Sequence, residues 1–109
     1  VTVRVGEHVV HGRTVDAQTR CVHWAGEDDV LAILFACCER WYPCHACHGG
    51  DADHVARTWP VGAAAREALL CGVCGGTSTI ADYRATSRCT RCGRAFNPNC
   101  RLHHHLYFD

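Results

Sequence analysis

LLCGVCGGTSTIADYRATSRCTRCG, residues 69–93, holds two CxxC turns, Cys71-Gly-Val-Cys74 and Cys89-Thr-Arg-Cys92, fourteen residues apart. Two residues between cysteines let both sulfurs face one point. Gly75 and Gly93, directly after the turns, permit backbone conformations that other residues resist. Each turn is then half of a tetrahedron, and the spacing is that of a zinc ribbon. Two separate redox dithiols are the competing reading, but no thioredoxin-like βαβ pattern surrounds either turn.

Upstream lies a denser group: Cys21, His23, Cys37, Cys38, Cys44, Cys47, His48 and His54, eight donors within 34 residues. Tetrahedral zinc takes four donors, so eight imply two interleaved, cross-braced sites. Neighbouring side chains in extended or turn backbone diverge, which sends Cys47 and His48 to different ions. The preferred partition joins Cys21 and His23 to Cys44 and Cys47, and Cys37 and Cys38 to His48 and His54. The same steric argument makes an adjacent Cys37/Cys38 pair awkward on one ion, so the pairing stays open. His45, His8 and His11 are read as ordinary surface side chains. Cys100 with His103, His104 and His105 offers donors for a fourth ion, against the plainer reading of a buried thiol beside exposed histidines.

Composition agrees with a fold held by metal. Ten Cys and nine His in 109 residues accompany only three Phe, three Tyr, three Trp and no Met. Such cysteine density signals either a secreted disulfide scaffold or metal sites, and a disulfide scaffold has no use for histidine. No apolar run near the start suits a signal peptide or a membrane span, so a reducing, cytoplasmic setting is expected. Eleven Arg, no Lys and eleven acids balance. The arginine usage with abundant Ala and Val suggests GC-rich coding and a bacterial source. Arg84, Arg88, Arg91, Arg94 and Arg101 make the end of the chain locally basic, but no aromatic stacking pattern accompanies them, and nucleic acid is not the expected partner.

The expected fold is a small zinc-stabilised, β-rich α+β domain over residues 1–109. A lobe at 1–60 carries the two cross-braced sites; a lobe at 61–109 carries the ribbon and tail. Alternation in Val1 to Arg20 predicts strands or a hairpin pivoting at Gly6 and Gly12. The apolar run Asp29 to Ala36 predicts a buried central strand. Glu39 to Pro60 reads as irregular loops, Ala63 to Leu70 as a short helix between lobes, and TSTI as a short strand.

Taken together, GRTVDAQTRCVHW (12–24), DVLAILFACC (29–38), WYPCHACH (41–48), DADH (51–54), LLCGVC (69–74), CTRC (89–92) and FNPNCRLHHHLYF (96–108) resemble the CHY zinc-finger family. The match spans nearly the whole chain. The FNPxC ending is similar to the stand-alone members, small bacterial proteins and the helper-of-Tim proteins of the mitochondrial intermembrane space. The resemblance implies three zinc ions on the twelve residues already singled out: Cys21, His23, Cys37, Cys38, Cys44, Cys47, His48, His54, Cys71, Cys74, Cys89 and Cys92. The family's Cys-His-Tyr run has Trp24 in its third place here, which keeps an aromatic ring and loses a hydroxyl. No RING follows the CHY portion, which argues against ubiquitin ligation.

Nine thiolates and three neutral histidines around three divalent ions would lower the formal charge by three. Closed four-donor sites leave no position for an activated water, and the chain has no nucleophile elbow, phosphate loop or HExxH helix. The function expected is a non-enzymatic zinc-binding module that works through a protein partner or client. The alternative is a helper that transfers zinc or assists thiol redox chemistry in clients.

Overall fold

The structure is a computed structural model that describes residues 2–97, 107 and 108. The fourth-site expectation on Cys100, His103 and His105 lies outside the described residues, as does Arg101. A six-stranded sheet organises the chain, with spatial order β1-β2-β4-β3-β5-β6. Its strands are β1 (Thr2–Val5), β2 (His8–His11), β3 (Leu31–Leu34), β4 (Trp41–Tyr42), β5 (Glu67–Cys71) and β6 (Thr77–Thr79). Only the β2–β4 pairing is parallel; the other four are antiparallel. Two short helices, α1 (His45–Asp51) and α2 (Ile80–Thr86), complete it.

The apolar run becomes β3, and all four of its residues are buried. A strand buried on both faces reads as a continuous hydrophobic run, because neither face needs a polar partner. β3 pairs with β4 through Leu34↔Trp41 and with β5 through Ala32↔Leu70, so residues from both sides of position 60 share one sheet. The β1–β2 hairpin turns at Gly6, whose φ of +61° suits glycine.

Three expectations for local structure are corrected. Residues 63–70 are not a helix: a 3-10 turn spans Val61–Ala63, and Glu67–Cys71 is β5. Two turns of isolated helix gain little. As a strand, Ala68, Leu69 and Leu70 bury completely between β3 and β6. Residues 39–60 are not all loop, for they contain β4 and α1. α1 carries two consecutive glycines and has poor intrinsic propensity, so it is held by its surroundings. TST is the expected strand, β6, but Ile80, read as its last residue, begins the helix α2. Thr79 caps α2 by accepting from the Asp82 N–H at 3.1 Å, and Ser87 closes it in the left-handed region. Ile80 and Tyr83 are its buried face.

Candidate metal centres

The twelve residues singled out from the sequence lie in three groups of four: Cys21, His23, Cys44 and Cys47; Cys37, Cys38, His48 and His54; Cys71, Cys74, Cys89 and Cys92. Within each group the donor atoms all lie within 4.8 Å of one another. His8, His11 and His45 join no such group among the described residues. His8 and His11 instead pack edge-on or tilted against Trp41 and Tyr42.

The first site is built around the N-terminus of α1. Cys44 is the N-cap, with its sulfur accepting from the Cys47 N–H at 3.4 Å. Cys21 arrives from a tight turn closed by reciprocal backbone bonds with Trp24, which also presents His23. Cys21, Cys44 and Cys47 are buried while His23 is exposed. Gly12 makes room for this site. Its φ is +103°, and a Cβ there would come within 2.8 Å of the Cys47 Cβ.

The second site sits at the β3–β4 turn. Glu39 takes a φ of +53° there, and its N–H donates to the Phe35 carbonyl. That sharp reversal brings Cys37 and Cys38 to one point, with sulfurs 3.8 Å apart. His48 comes from α1, and its ring stacks on Phe35 at 4.3 Å with planes 9° apart. His54 follows α1, and its Nε2 lies 3.2 Å from both the Cys37 sulfur and the His48 Nε2. Adjacent residues Cys47 and His48 thus serve different sites.

The third site is two matching turns. The Gly75 N–H donates to the Cys71 carbonyl and the Gly93 N–H to the Cys89 carbonyl, each at 2.9 Å. Both glycines have positive φ, +74° and +79°. Backbone N–H groups of Gly76, Arg91 and Cys92 point at the Cys74 and Cys89 sulfurs at 3.4 Å.

A geometric test asks which ion fits. With Zn–S near ~2.3 Å and Zn–N near ~2.05 Å, tetrahedral edges are about 3.8 Å for S–S, about 3.6 Å for S–N and about 3.3 Å for N–N. The sulfur pairs Cys21–Cys44, Cys37–Cys38, Cys71–Cys92 and Cys74–Cys89 stand at 3.8, 3.8, 3.7 and 3.6 Å. His23 Nδ1 lies 3.6 and 3.4 Å from the Cys44 and Cys47 sulfurs. The two histidine nitrogens of the second site are 3.2 Å apart, and its sulfur–nitrogen pairs scatter about the expected edge, at 3.2 Å for Cys37–His48 and Cys37–His54 and 4.0 Å for Cys38–His48. A disulfide would need about 2.05 Å. Three Cys/His clusters of zinc dimensions are therefore present, and all nine described cysteines are free thiols.

Burial and mutual hydrogen bonds shift the donors in opposite directions. Hydrogen bonds from the Cys44 and Cys47 thiols pull Cys21 down to about 2, and both partners are pushed up in return. Burial pushes Cys71 up to about 12. Burial also pushes on Cys89, but the N–H groups of Cys92 and Arg91 outweigh it and bring that thiol to about 7. Burial lowers His48 and keeps its ring neutral, the form that binds metal. The Asp53 carboxylate raises His54. Asp53 was not singled out from the sequence. Its Oδ1 lies 3.1 Å from His54 Nδ1, the contact by which outer carboxylates orient metal-binding histidines. Its position next to His54 in DADH was the available signal.

The basic segment is not an open stripe among the described residues. Arg88 donates to the Gly93 carbonyl, Arg91 to the Thr77 carbonyl and Glu67, and Arg94 to Asp28 and the Glu27 carbonyl. Arg84 lies over the Phe108 ring at 5.7 Å. No described helix is long and apolar enough to cross a membrane.

Comparison with known proteins agrees with the site. The chain is 42% identical over 107 residues to Helper of Tim protein 13 of Saccharomyces cerevisiae, covering 94% of this chain and 92% of that protein. It is 36% identical to Helper of Tim protein 13 of Kluyveromyces lactis, covering 91% and 87%. An uncharacterized protein of Schizosaccharomyces pombe is 35% identical, covering 92% and 88%. These relatives are fungal, and the bacterial origin expected from arginine usage is not borne out. No solved structure matches the chain. The family model of the CHY zinc finger matches residues 21–99, a span that contains all three clusters, and the chain belongs to the CHY zinc-finger family.

Proposed function

We propose that this chain is a non-enzymatic, single-domain zinc-binding module that works through contacts with a protein partner. Three structural zinc ions are held by Cys21, His23, Cys44 and Cys47; by Cys37, Cys38, His48 and His54; and by Cys71, Cys74, Cys89 and Cys92. The observation that carries the reading is the gathering of four Cys/His donors within 4.8 Å of one another in each of three groups, with sulfur–sulfur separations close to tetrahedral zinc edges. Four protein donors per ion leave no place for a reactive water, so zinc supplies cross-links rather than Lewis-acid chemistry. Each can contribute on the order of 10 kcal/mol of metal-linked folding energy, against about 5–15 for a typical domain. The free thiols suit a reducing compartment such as the cytoplasm. The relatives' printed name, Helper of Tim, supports a protein client of the Tim kind.

A second reading, zinc transfer or thiol-redox assistance to clients, is favoured by one observation. In the site of Cys37, Cys38, His48 and His54 only His48 is buried. Competition against a chromogenic chelator separates the readings. A purely structural module gives up three ions slowly, together with its fold. A transfer protein releases the ion of the exposed site quickly and stays folded. Hydrolytic or oxidoreductive turnover that disappears specifically on mutation of a residue outside the twelve ligands would overturn the first reading.

A further inference from the structure

The three centres differ in how their sulfurs are held. At the site of Cys71, Cys74, Cys89 and Cys92, five backbone N–H groups point at three of the four sulfurs. Gly76 donates to Cys74, and Arg91 and Cys92 to Cys89, each at 3.4 Å. Val73 and Cys74 donate to Cys71. At the other two sites the backbone donors come one to a sulfur among the described residues: His23 to Cys21, Cys47 to Cys44, Arg13 to Cys47, Arg57 to Cys37 and Arg40 to Cys38.

The donor sets differ as well. Four thiolates carry four negative charges, against three where His23 joins three cysteines and two where His48 and His54 join two. Four sulfurs in a tetrahedron suit iron as well as zinc. A ferric ion on four thiolates leaves a net charge of −1, and its ferrous form −2. The added electron spreads over the sulfurs, where N–H groups aimed at them stabilise it and bring the reduced state within reach. Arg91 sets a cation beside the same turns. Its side chain crosses Gly76, where a Cβ would not fit, to reach the Thr77 carbonyl. Cys71 and Cys89 are buried while Cys74 and Cys92 are exposed. The protein therefore shields the inner face of the site and leaves the outer face open to an electron donor.

From the all-sulfur donor set and its backbone hydrogen bonds, we infer that this site binds iron as well as zinc, and that the bound iron passes between ferric and ferrous states by one-electron transfer. The inference rests on reading the four cysteines as a metal site and goes beyond the structural role given to zinc there. In the step, one electron from an outside reductant enters the ferric centre past Cys74 and Cys92. The four iron–sulfur bonds persist, and no proton moves.

The test uses the full chain. Reduced protein is folded anaerobically with one equivalent of ferrous iron followed by two of zinc, and a second sample receives three of zinc. After oxidation by one equivalent of ferricyanide, visible thiolate-to-iron charge-transfer bands are expected, bleached by dithionite and restored on reoxidation. X-ray absorption at the iron edge should show four sulfur neighbours and no nitrogen. Cys92→Ala should abolish or shift the bands, and His54→Ala should leave them unchanged. Absence of reversible bands in the unmodified chain, or nitrogen among the neighbours of the iron, overturns the inference. Both criteria need no variant and stand even if Cys92→Ala fails to fold. The zinc-only sample reports on the zinc reading separately. Three zinc ions there, with no reversible iron centre in the first sample, contradict this inference alone; fewer than three, beside a reversible iron centre, contradict the structural reading and support this one.

Discussion

The helix α1 faces two candidate metal centres that differ in burial. On one side Cys44 and Cys47 join Cys21, all three buried, beneath a glycine that leaves no room for a Cβ. On the other, His48 joins Cys37, Cys38 and the exposed His54 at a surface turn. The same seven-residue helix thus ties one site into the core and another to the rim. In a short chain a buried cross-link reinforces a core that is modest in size, here the aliphatic and aromatic side chains packed around β3 and β5. A peripheral one mainly fixes a turn and a helix end. The two sites therefore differ in what their loss does to the fold.

The largest effect is expected at the buried site. Cys47→Ser should lower zinc content and abolish cooperative thermal unfolding, read by circular dichroism. A folded, cooperative Cys47→Ser protein would break the comparison. At the exposed site, His54→Ala should remove one zinc ion out of three and leave a cooperative but less stable fold. Collapse equal to that of Cys47→Ser would show that both sites carry the core.

A finer effect is expected from Asp53→Asn. The variant keeps all twelve donors and loses the carboxylate on His54. Zinc affinity at the exposed site should fall about 10-fold, within the usual range for outer-shell partners, with the other two ions unchanged in chelator titration. Asp53→Glu should recover part of it. Uniform weakening of all three would contradict an orienting role.

The smallest effect is a pH dependence at Tyr42, which packs against His48 and donates to Asp51 at 3.0 Å. Burial and the Asp51 carboxylate push its phenol up to about 12, above the ordinary value of about 10. The raised folded value favours the protonated form. Its contribution is full below pH about 10 and is lost as pH rises towards about 12. Tyr42→Phe should flatten the alkaline decline in stability over that window, measured by denaturant titration.

The sequence was legible where the local pattern and the metal chemistry agreed. DVLAILFA announced β3 because a strand covered on both faces has no alternation to hide. The CxxC turns announced the arrangement of Cys71, Cys74, Cys89 and Cys92, since the requirement is local. The pattern misled where tertiary contacts decided. AAAREALL has helical composition, yet Ala68, Leu69 and Leu70 gain more as a strand between β3 and β6. HACHGGD has two glycines and no helical signature, yet capping by Cys44 and the demands of two sites wind it into α1. The close approaches of Gly12 to Cys47 and of Gly72 to Gln18 are long-range juxtapositions that no local spacing encodes.

Stepwise zinc addition to the metal-free, reduced chain tests the central claim most directly, with cooperative unfolding followed at each equivalent. Cooperativity absent without metal and complete at three equivalents is the predicted result. A metal-free chain that already unfolds cooperatively, or thiols found joined in pairs in the native protein, would contradict it.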